Sequence, residues 1–109
     1  MSPADFDAAQ VYVFGGSQGI GLAIARRVAA LGADVVLFAR RREPLKQAAA
    51  AVRAARRRPT QSVDWRQLDV ADPAQVAASV PRLVADRGAP DVLINCAGRA
   101  YPRKFEDVT

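Results

Sequence analysis

The chain has 109 residues, of which half are apolar and a quarter are charged, and its formal net charge is +5. This length and balance predict one small globular domain. The sequence has no histidine and one cysteine, Cys96. Nucleophilic sites built on histidine, metal sites built on imidazole and internal disulfides are therefore excluded, and no metal site is expected. Without a histidine to activate its thiol, Cys96 is predicted to be a small buried apolar residue.

The sequence shows no targeting or membrane-spanning segment. Residues 1–10 lack a basic start and an apolar core. No apolar run approaches the roughly 20 residues that span a bilayer, and a single cysteine is consistent with a reducing compartment. We therefore expect a cytoplasmic location, while membrane attachment of a longer protein stays open.

Short apolar runs alternate with helical patterns along the chain. The first helix is predicted to end near Leu31, with Ile20, Ile24, Val28 and Leu31 on one apolar stripe, and Pro81 should kink or shorten the third helix. The predicted elements are strands at 11–14, 35–38, 62–68 and 91–95, and helices at about 22–31, 43–58 and 72–88. The order βαβαβαβ predicts an α/β fold with a Rossmann-type parallel sheet and helices on both faces, as an incomplete half of that fold.

A glycine-rich segment, Gly15-Gly-Ser-Gln-Gly-Ile-Gly21, joins the first strand to the first helix. Gly15 can adopt a positive φ in a tight turn, and the missing side chain at Gly19 lets a pyrophosphate approach the backbone. Gly21 lets the helix pack closely on the strand, and the helix N-terminus offers N–H groups to phosphates. The predicted dinucleotide contacts here are Gly15, Gly16, Ser17, Gln18, Gly19, Ile20 and Gly21. Taken alone, the segment could also be a flexible turn.

Two arginines follow the second strand, where a dinucleotide fold meets the ribose of the adenosine. An acidic residue at this place binds the 2′-hydroxyl, whereas arginine accommodates a 2′-phosphate. Here Ala39 stands 18 residues beyond Gly21 and is followed by Arg40 and Arg41. We therefore predict that Arg40 and Arg41 bind NADPH or NADP in preference to NADH. The alternative is that Arg40 is only a surface residue after a strand.

Two further strand ends carry candidate cofactor contacts. Asp69 and Val70 follow the third strand, where the adenine ring is expected, and the Asp69 carboxylate can accept a hydrogen bond from the exocyclic amine. Asn95 ends the fourth strand and can tie neighbouring loops together through its amide. The small residues Ala97 and Gly98 leave room for the nicotinamide ribose.

Most of the positive charge lies between residues 40 and 58. This basic segment holds eight arginine or lysine side chains against the single acidic side chain of Glu43, a net charge of +7 that leaves −2 for the rest of the chain. Its alanine-rich body predicts one amphipathic helix with most of the arginines on a solvated face. A nucleic-acid partner is the alternative, but the segment lacks the interleaved aromatic residues of a single-strand binder, so none is expected.

Together these features resemble the short-chain dehydrogenase/reductase family over residues 11–98. The motifs that carry the resemblance are Gly15–Gly21, Arg40, Asp69-Val70 and Asn95–Gly98. The resemblance implies a nicotinamide cofactor and an oxidoreductase that transfers a hydride to a carbonyl carbon. The chain departs from the family at Phe14, where threonine is usual and helps to fix the glycine turn.

Within the family, four short strings are similar to those of 3-ketodihydrosphingosine reductases. They are Gly15–Gly21, Ala39-Arg40, Asn95–Gly98 and Lys104–Asp107. This narrower resemblance implies NADPH-dependent reduction of the ketone of a long-chain sphingoid base in sphingolipid synthesis, and hence a lipid or small-molecule ketone as substrate. Another NADP-dependent short-chain reductase and a non-catalytic nucleotide-binding module stay open as alternatives, as does a homo-oligomer of the complete protein.

The resemblance also implies a catalytic serine and a tyrosine followed four residues later by a lysine. The lysine lowers the pKa of the phenol so that it can exchange a proton near neutral pH. In this sequence Gly16 and Phe105 stand four residues after Tyr12 and Tyr101. We therefore predict no catalytic residue here and interpret residues 1–109 as the single N-terminal dinucleotide-binding portion of a longer reductase. Because its fourth strand is an edge, this portion alone would be marginally stable, prone to aggregation or completed by another chain.

Overall fold

Four strands and three α-helices make up most of the described chain. A computed structural model describes residues 2–96, and a short 3-10 helix at Pro3–Phe6 precedes the first strand. The other elements are β1 at Gln10–Phe14, α1 at Gly19–Ala30, β2 at Asp34–Ala39, α2 at Arg42–Ala54, β3 at Val63–Gln67, α3 at Pro73–Arg87 and β4 at Val92–Asn95. Within residues 2–96, none of these helices has the length and apolar character needed to cross a membrane.

The strands form one parallel sheet in the order β3-β2-β1-β4. Val13 of β1 lies opposite Leu37 of β2 and Ile94 of β4, and Leu37 lies opposite Trp65 of β3. The chain moves outward from β1 to β3 and then returns to the other side of β1. That reversal of direction opens a crevice at the carboxyl ends of the strands, where such sheets bind ligands. The predicted Rossmann-type fold is confirmed.

Both faces of the sheet are covered because the two central strands are apolar on both sides. The strand side chains that pack with α1 and α2 are those of Val11, Val13, Val35 and Leu37. Those that pack with α3 are Tyr12, Phe14, Val36 and Phe38. Burying a side chain of this size contributes about 1.5–3 kcal/mol, so this two-sided core holds the sheet together.

Small side chains bring α1 close to the sheet. Its buried residues are Gly21, Ala25, Val28 and Ala29. Ile20 is 75% exposed and borders a shallow apolar hollow with Phe6, Ile24 and Leu31. Of the predicted apolar stripe, Val28 is buried and Ile24 packs partly buried against the core, whereas Ile20 faces the hollow.

The helix α2 ends at Ala54, before the predicted end near Arg58. Beyond it, Arg56 donates to backbone carbonyl oxygens of the α2–β3 connection, including that of Gln61 at 3.1 Å. Arg58 forms an ion pair with Asp7 at 2.6 Å, and its hydrogen bond lowers the pKa of the Asp7 carboxyl. The prediction of one long helix with solvated arginines is wrong here, because the free carbonyl groups and the carboxylate attract the guanidinium donors.

The helix α3 starts at its predicted cap and is closed by its predicted glycine, but it continues through Pro81. Asp72 caps its first turn, and Gly88 has a φ of 85° after its last residue, Arg87. Leu83, which is 3% exposed, packs against the sheet beyond the proline. Of the two predicted effects of Pro81, shortening of the helix is wrong because burial of Leu83 offsets the hydrogen bond that proline cannot make, and a kink stays a prediction.

Replacing Asp72 with alanine is expected to lower the free energy of unfolding by about 1 kcal/mol. The Asp72 carboxylate accepts hydrogen bonds from the backbone N–H of Ala74 at 3.0 Å and from the Gln75 side chain at 3.1 Å. Alanine removes this acceptor. Urea denaturation measures the change, and Ser79→Ala on the same helix is the control. Equal losses in both variants would contradict the capping role.

Candidate functional site

A cleft of about 680 Å³ opens at the carboxyl ends of the strands. A volume of this size is typical of small-molecule sites. The predicted contact residues that line the cleft are Gly15, Ser17, Gln18, Arg40, Arg41, Asp69, Val70 and Asn95. The lining residues that were not among the predicted contacts are Phe38, Ala39, Leu68, Ala71 and Cys96. The structure thus brings together segments that follow all four strands.

The turn after β1 depends on two glycines in different ways. Gly15 has a φ of 80°, and its N–H donates to the Phe38 carbonyl at 2.7 Å, which ties the turn to the end of β2. A β-carbon at Gly21 would overlap the Gly15 carbonyl oxygen and would lie 3.2 Å from the Gly16 α-carbon. The close approach predicted for α1 is therefore made to the turn rather than to the strand.

The N-terminus of α1 lies beside this turn. Gln18 is its N-cap residue, lines the cleft and makes no side-chain cap. Gly19 has a φ of 55°, and no atom lies within 4 Å of where its β-carbon would be. The first N–H groups of a helix have no partner within the helix, and together they favour an anion. The backbone here is thus open to a phosphate.

Two of the three arginines that follow β2 line the cleft. These are Arg40 and Arg41, and both are exposed. The carbonyl of Arg40 accepts a hydrogen bond from the Gln67 side chain at 3.0 Å. The guanidinium of Arg42 instead lies 5.4 Å from the ring centroid of Trp65. Two arginines therefore line the cleft at its β2 side.

The segment after β3 is held by the cap of α3. The N–H of Asp69 donates to the Gln75 side chain at 3.1 Å, and Gln75 in turn donates to Asp72. The Asp69 carboxylate accepts a hydrogen bond from the N–H of Ala71 at 3.0 Å. A carboxylate has room for several donors, so Asp69 keeps acceptor capacity for a ligand.

Phe14 fits the core although the family pattern has threonine at this place. Its ring stacks on that of Phe38, with centroids 4.3 Å apart and planes at 11°. Phe38 also lines the cleft. The glycine turn forms without a threonine because the backbone of Gly15 is bound to β2.

Some residues lie elsewhere than predicted. The side chain of Ile20 faces the apolar hollow beside α1, and Gly16 is buried where a β-carbon would lie 2.8 Å from Leu37. Cys96 is half-buried and lines the cleft, so its prediction as a buried residue is wrong. It follows β4, one of the two edge strands of the described sheet. The predicted contacts that lie outside the described residues are Ala97 and Gly98.

Tyr12 does not supply an acid–base group to the cleft. Its side chain is 1% exposed, and its hydroxyl donates to the Gly88 carbonyl at 2.8 Å, toward the amino ends of the strands. Burial raises the pKa of its phenol, whereas proton exchange near neutral pH needs a lower pKa. Across residues 2–96, no cluster of three histidine, cysteine or acidic side chains could hold a metal ion.

Comparison with known proteins places these features in a family. The family model for short chain dehydrogenases matches residues 9–109. A protein named as a ketoacyl reductase of the granaticin polyketide synthase of Streptomyces violaceoruber is 48% identical over 88 residues, which cover 81% of this chain and 31% of that protein. The 3-dehydrosphinganine reductase of Danio rerio is 37% identical over 107 residues, which cover 97% and 32%. The chain thus spans about a third of the length of these relatives.

Solved structures agree with the fold. L-sorbose reductase from Gluconobacter frateurii, solved with NADPH and L-sorbose, has a TM-score of 0.80 at 32% identity, covering 98% of this chain and 39% of its own. Actinorhodin polyketide ketoreductase with NADPH has a TM-score of 0.74 at 36% identity, covering 86% and 34%. NAD+-bound xylitol dehydrogenase has a TM-score of 0.72 at 32% identity, covering 81% and 32%. The chain therefore belongs to the short-chain dehydrogenase family of oxidoreductases, which bind a nicotinamide dinucleotide.

Proposed function

We propose that this chain forms the cofactor-binding portion of an NADPH-dependent short-chain reductase. The observation that carries the proposal is the cleft, where the turn after β1, the N-cap of α1 and the arginines after β2 meet. A diphosphate and a 2′-phosphate are bound by such a combination of backbone N–H groups and guanidinium groups.

Each wall of the cleft suits a different part of the cofactor. The N–H groups around Gly19 would hold the diphosphate, and the Ser17-Gln18 pair adds side-chain donors. Asp69 would accept a hydrogen bond from the adenine amine, with Val70 against the ring. Asn95 would border the nicotinamide ribose.

The arginines favour NADPH over NADH. Arg40 and Arg41 line the cleft where the ribose of the adenosine is expected. A charge-assisted hydrogen bond contributes about 1.5–3 kcal/mol, or tenfold and more in affinity. The solved relatives include NADPH-bound and NAD+-bound proteins. Because the same fold accepts both cofactors, the preference would depend on these two side chains.

When bound, NADPH supplies the hydride that reduces a carbonyl carbon. The residues of this chain would bind the adenosine and diphosphate and so fix the orientation of the cofactor. The 109 residues contain no tyrosine with a lysine four positions later. We therefore assign proton transfer, and carbonyl reduction itself, to the longer protein of which residues 1–109 would be the N-terminal portion.

For that longer protein we propose a ketone on a lipid or acyl chain as substrate. The 3-dehydrosphinganine reductase of Danio rerio matches over 97% of the chain and supports a role in sphingolipid synthesis. The granaticin relative, at 48% identity, favours a ketoacyl substrate instead. An NADPH-oxidation assay of the longer protein separates the two: turnover of 3-ketosphinganine supports the first, and turnover of a ketoacyl thioester alone supports the second.

A titration of the chain tests the proposed cofactor. Calorimetry with NADPH, NADH and a DNA duplex should show NADPH binding about tenfold or more tightly than NADH. No binding to DNA is expected. Equal affinity for the two cofactors would contradict the NADPH preference. Binding to DNA with a steep dependence on salt would support a nucleic-acid function of the basic segment instead.

A further inference from the structure

Two side chains of β3 contact the arginines that follow β2. Trp65 and Gln67 are two residues apart, so they lie on the same face of β3. That face also carries α2, because Trp65 packs against the core shared with α2. Gln67 lies opposite Ala39, the last residue of β2. Both side chains therefore reach the place where the chain leaves β2 and enters α2.

Gln67 fixes the backbone of the first arginine. Its Nε2 atom donates to the Arg40 carbonyl at 3.0 Å. The backbone N–H of Leu68 donates to the preceding carbonyl, that of Ala39, at 2.8 Å. The last carbonyl group of β2 and the first one after it are thus bound to β3 and the residue that follows β3. The direction in which the Arg40 side chain leaves the backbone is fixed as a result.

Trp65 holds the third arginine over its ring. The guanidinium of Arg42 lies 5.4 Å from the ring centroid, a distance typical of a cation–π contact. Arg42 is the first residue of α2. Arg41 stands between these two held residues and lines the cleft together with Arg40.

We propose that Gln67 and Trp65 are positioning residues for NADPH selectivity. Neither lines the cleft, so they act by holding Arg40 and Arg41 where a 2′-phosphate would meet both guanidinium groups. This inference rests on the proposed NADPH-binding function. Preorganisation lowers the entropy cost of ordering the two arginines. NADH has no 2′-phosphate, so preorganisation of the two arginines does not change its affinity. Gln67 and Trp65 therefore affect the ratio of the affinities for NADPH and NADH.

The substitution Gln67→Met tests the hydrogen bond to Arg40. Methionine keeps the side-chain length but removes the donor, so the dissociation constant for NADPH should rise about threefold while that for NADH stays unchanged. Gln47→Met, the same change at an exposed position of α2, is the matched control and should change neither constant. Calorimetric titrations of the unsubstituted chain and both variants at one fixed salt concentration measure the six dissociation constants.

Two variants of Trp65 test the contact with Arg42. Leucine removes the ring and phenylalanine keeps an aromatic face, while every arginine stays in place. Trp65→Leu should therefore lower the ratio of NADPH affinity to NADH affinity, and Trp65→Phe should keep that ratio. Thermal unfolding of both variants shows whether a lost affinity is a loss of fold.

The outcomes separate this inference from the proposed function. An unchanged NADPH-to-NADH ratio in Gln67→Met and Trp65→Leu overturns the inference alone, provided that the unsubstituted chain prefers NADPH. Equal losses of affinity for both cofactors also overturn it, because they indicate a structural role. If the unsubstituted chain shows no preference for NADPH, the proposed cofactor and this inference both fail.

Discussion

Replacing Arg40 and Arg41 together with alanine is expected to weaken NADPH binding on the order of thirtyfold, with the affinity for NADH changed by less than about twofold. Both residues line the cleft and both are exposed. Solvent screening therefore reduces what two charge-assisted hydrogen bonds could contribute to about 2 kcal/mol. NADH is spared because it carries no 2′-phosphate.

The control for this double substitution removes the same charge at a distance from the cleft. Arg57 and Arg82 are exposed and do not line the cleft, so Arg57→Ala with Arg82→Ala should leave both affinities nearly unchanged. If the control weakens NADPH binding as much as the cleft variant does, the effect comes from net charge. An equal loss for NADPH and NADH in the cleft variant would contradict a role in 2′-phosphate recognition.

Replacing Gly21 with alanine is expected to destabilise the chain by about 1–3 kcal/mol and to weaken NADPH binding on the order of tenfold. A change from glycine to alanine inside a helix normally stabilises it by about 1 kcal/mol. Here the added β-carbon would overlap the Gly15 carbonyl oxygen and lie 3.2 Å from the Gly16 α-carbon. The overlap outweighs the helical gain, and α1 must move away from the turn that would hold the diphosphate.

Gly88→Ala is the matched control for this substitution. Gly88 has a φ of 85° and lies after α3, away from the cleft. Alanine there should cost stability because the left-handed backbone is strained, but it should leave NADPH affinity unchanged. Thermal unfolding and calorimetry measure both effects. A Gly21→Ala variant that is more stable than the unsubstituted chain would contradict the packing of α1 against the turn.

The fold is largely predictable because each element is marked by its own residues. A short run such as Val35–Phe38 is apolar on both faces, as a buried parallel strand must be. The glycine turn Gly15–Gly21 and the Asp72-Pro73 helix start carry residue types with strong local preferences. These signals lie within a few neighbouring residues, and the sequence displays them directly.

Contacts between distant elements have no comparable local signal in the sequence. Ile20 belongs to the predicted apolar stripe of α1 but is 75% exposed, whereas Val28 on the same stripe is buried. Arg58 leaves the predicted helix for a partner, Asp7, that is 51 residues away in the chain. Such contacts depend on the assembled fold rather than on the local pattern.

The cleft is predictable in outline for a topological reason. Parallel strands bring their carboxyl ends to one edge of the sheet, so residues such as Arg40, Asp69 and Asn95 were expected to meet there. The sequence does not indicate that Phe38 lines the cleft, because an aromatic residue at the end of a strand is equally typical of the core. No sequence motif indicates the proposed role of Gln67, since that role depends on one hydrogen bond from its side chain to the Arg40 carbonyl.

Amide chemical shifts of the chain, recorded by NMR while adenosine 2′,5′-bisphosphate is added, test the central claim most directly. The account predicts that the largest shifts fall on Gly15–Gly21, on Arg40 and Arg41, and on Asp69 and Val70. Adenosine 5′-monophosphate should shift the turn and the segment after β3 but leave the two arginines largely unchanged. Shifts confined to residues 46–58, or an equal response of the arginines to both nucleotides, would contradict it.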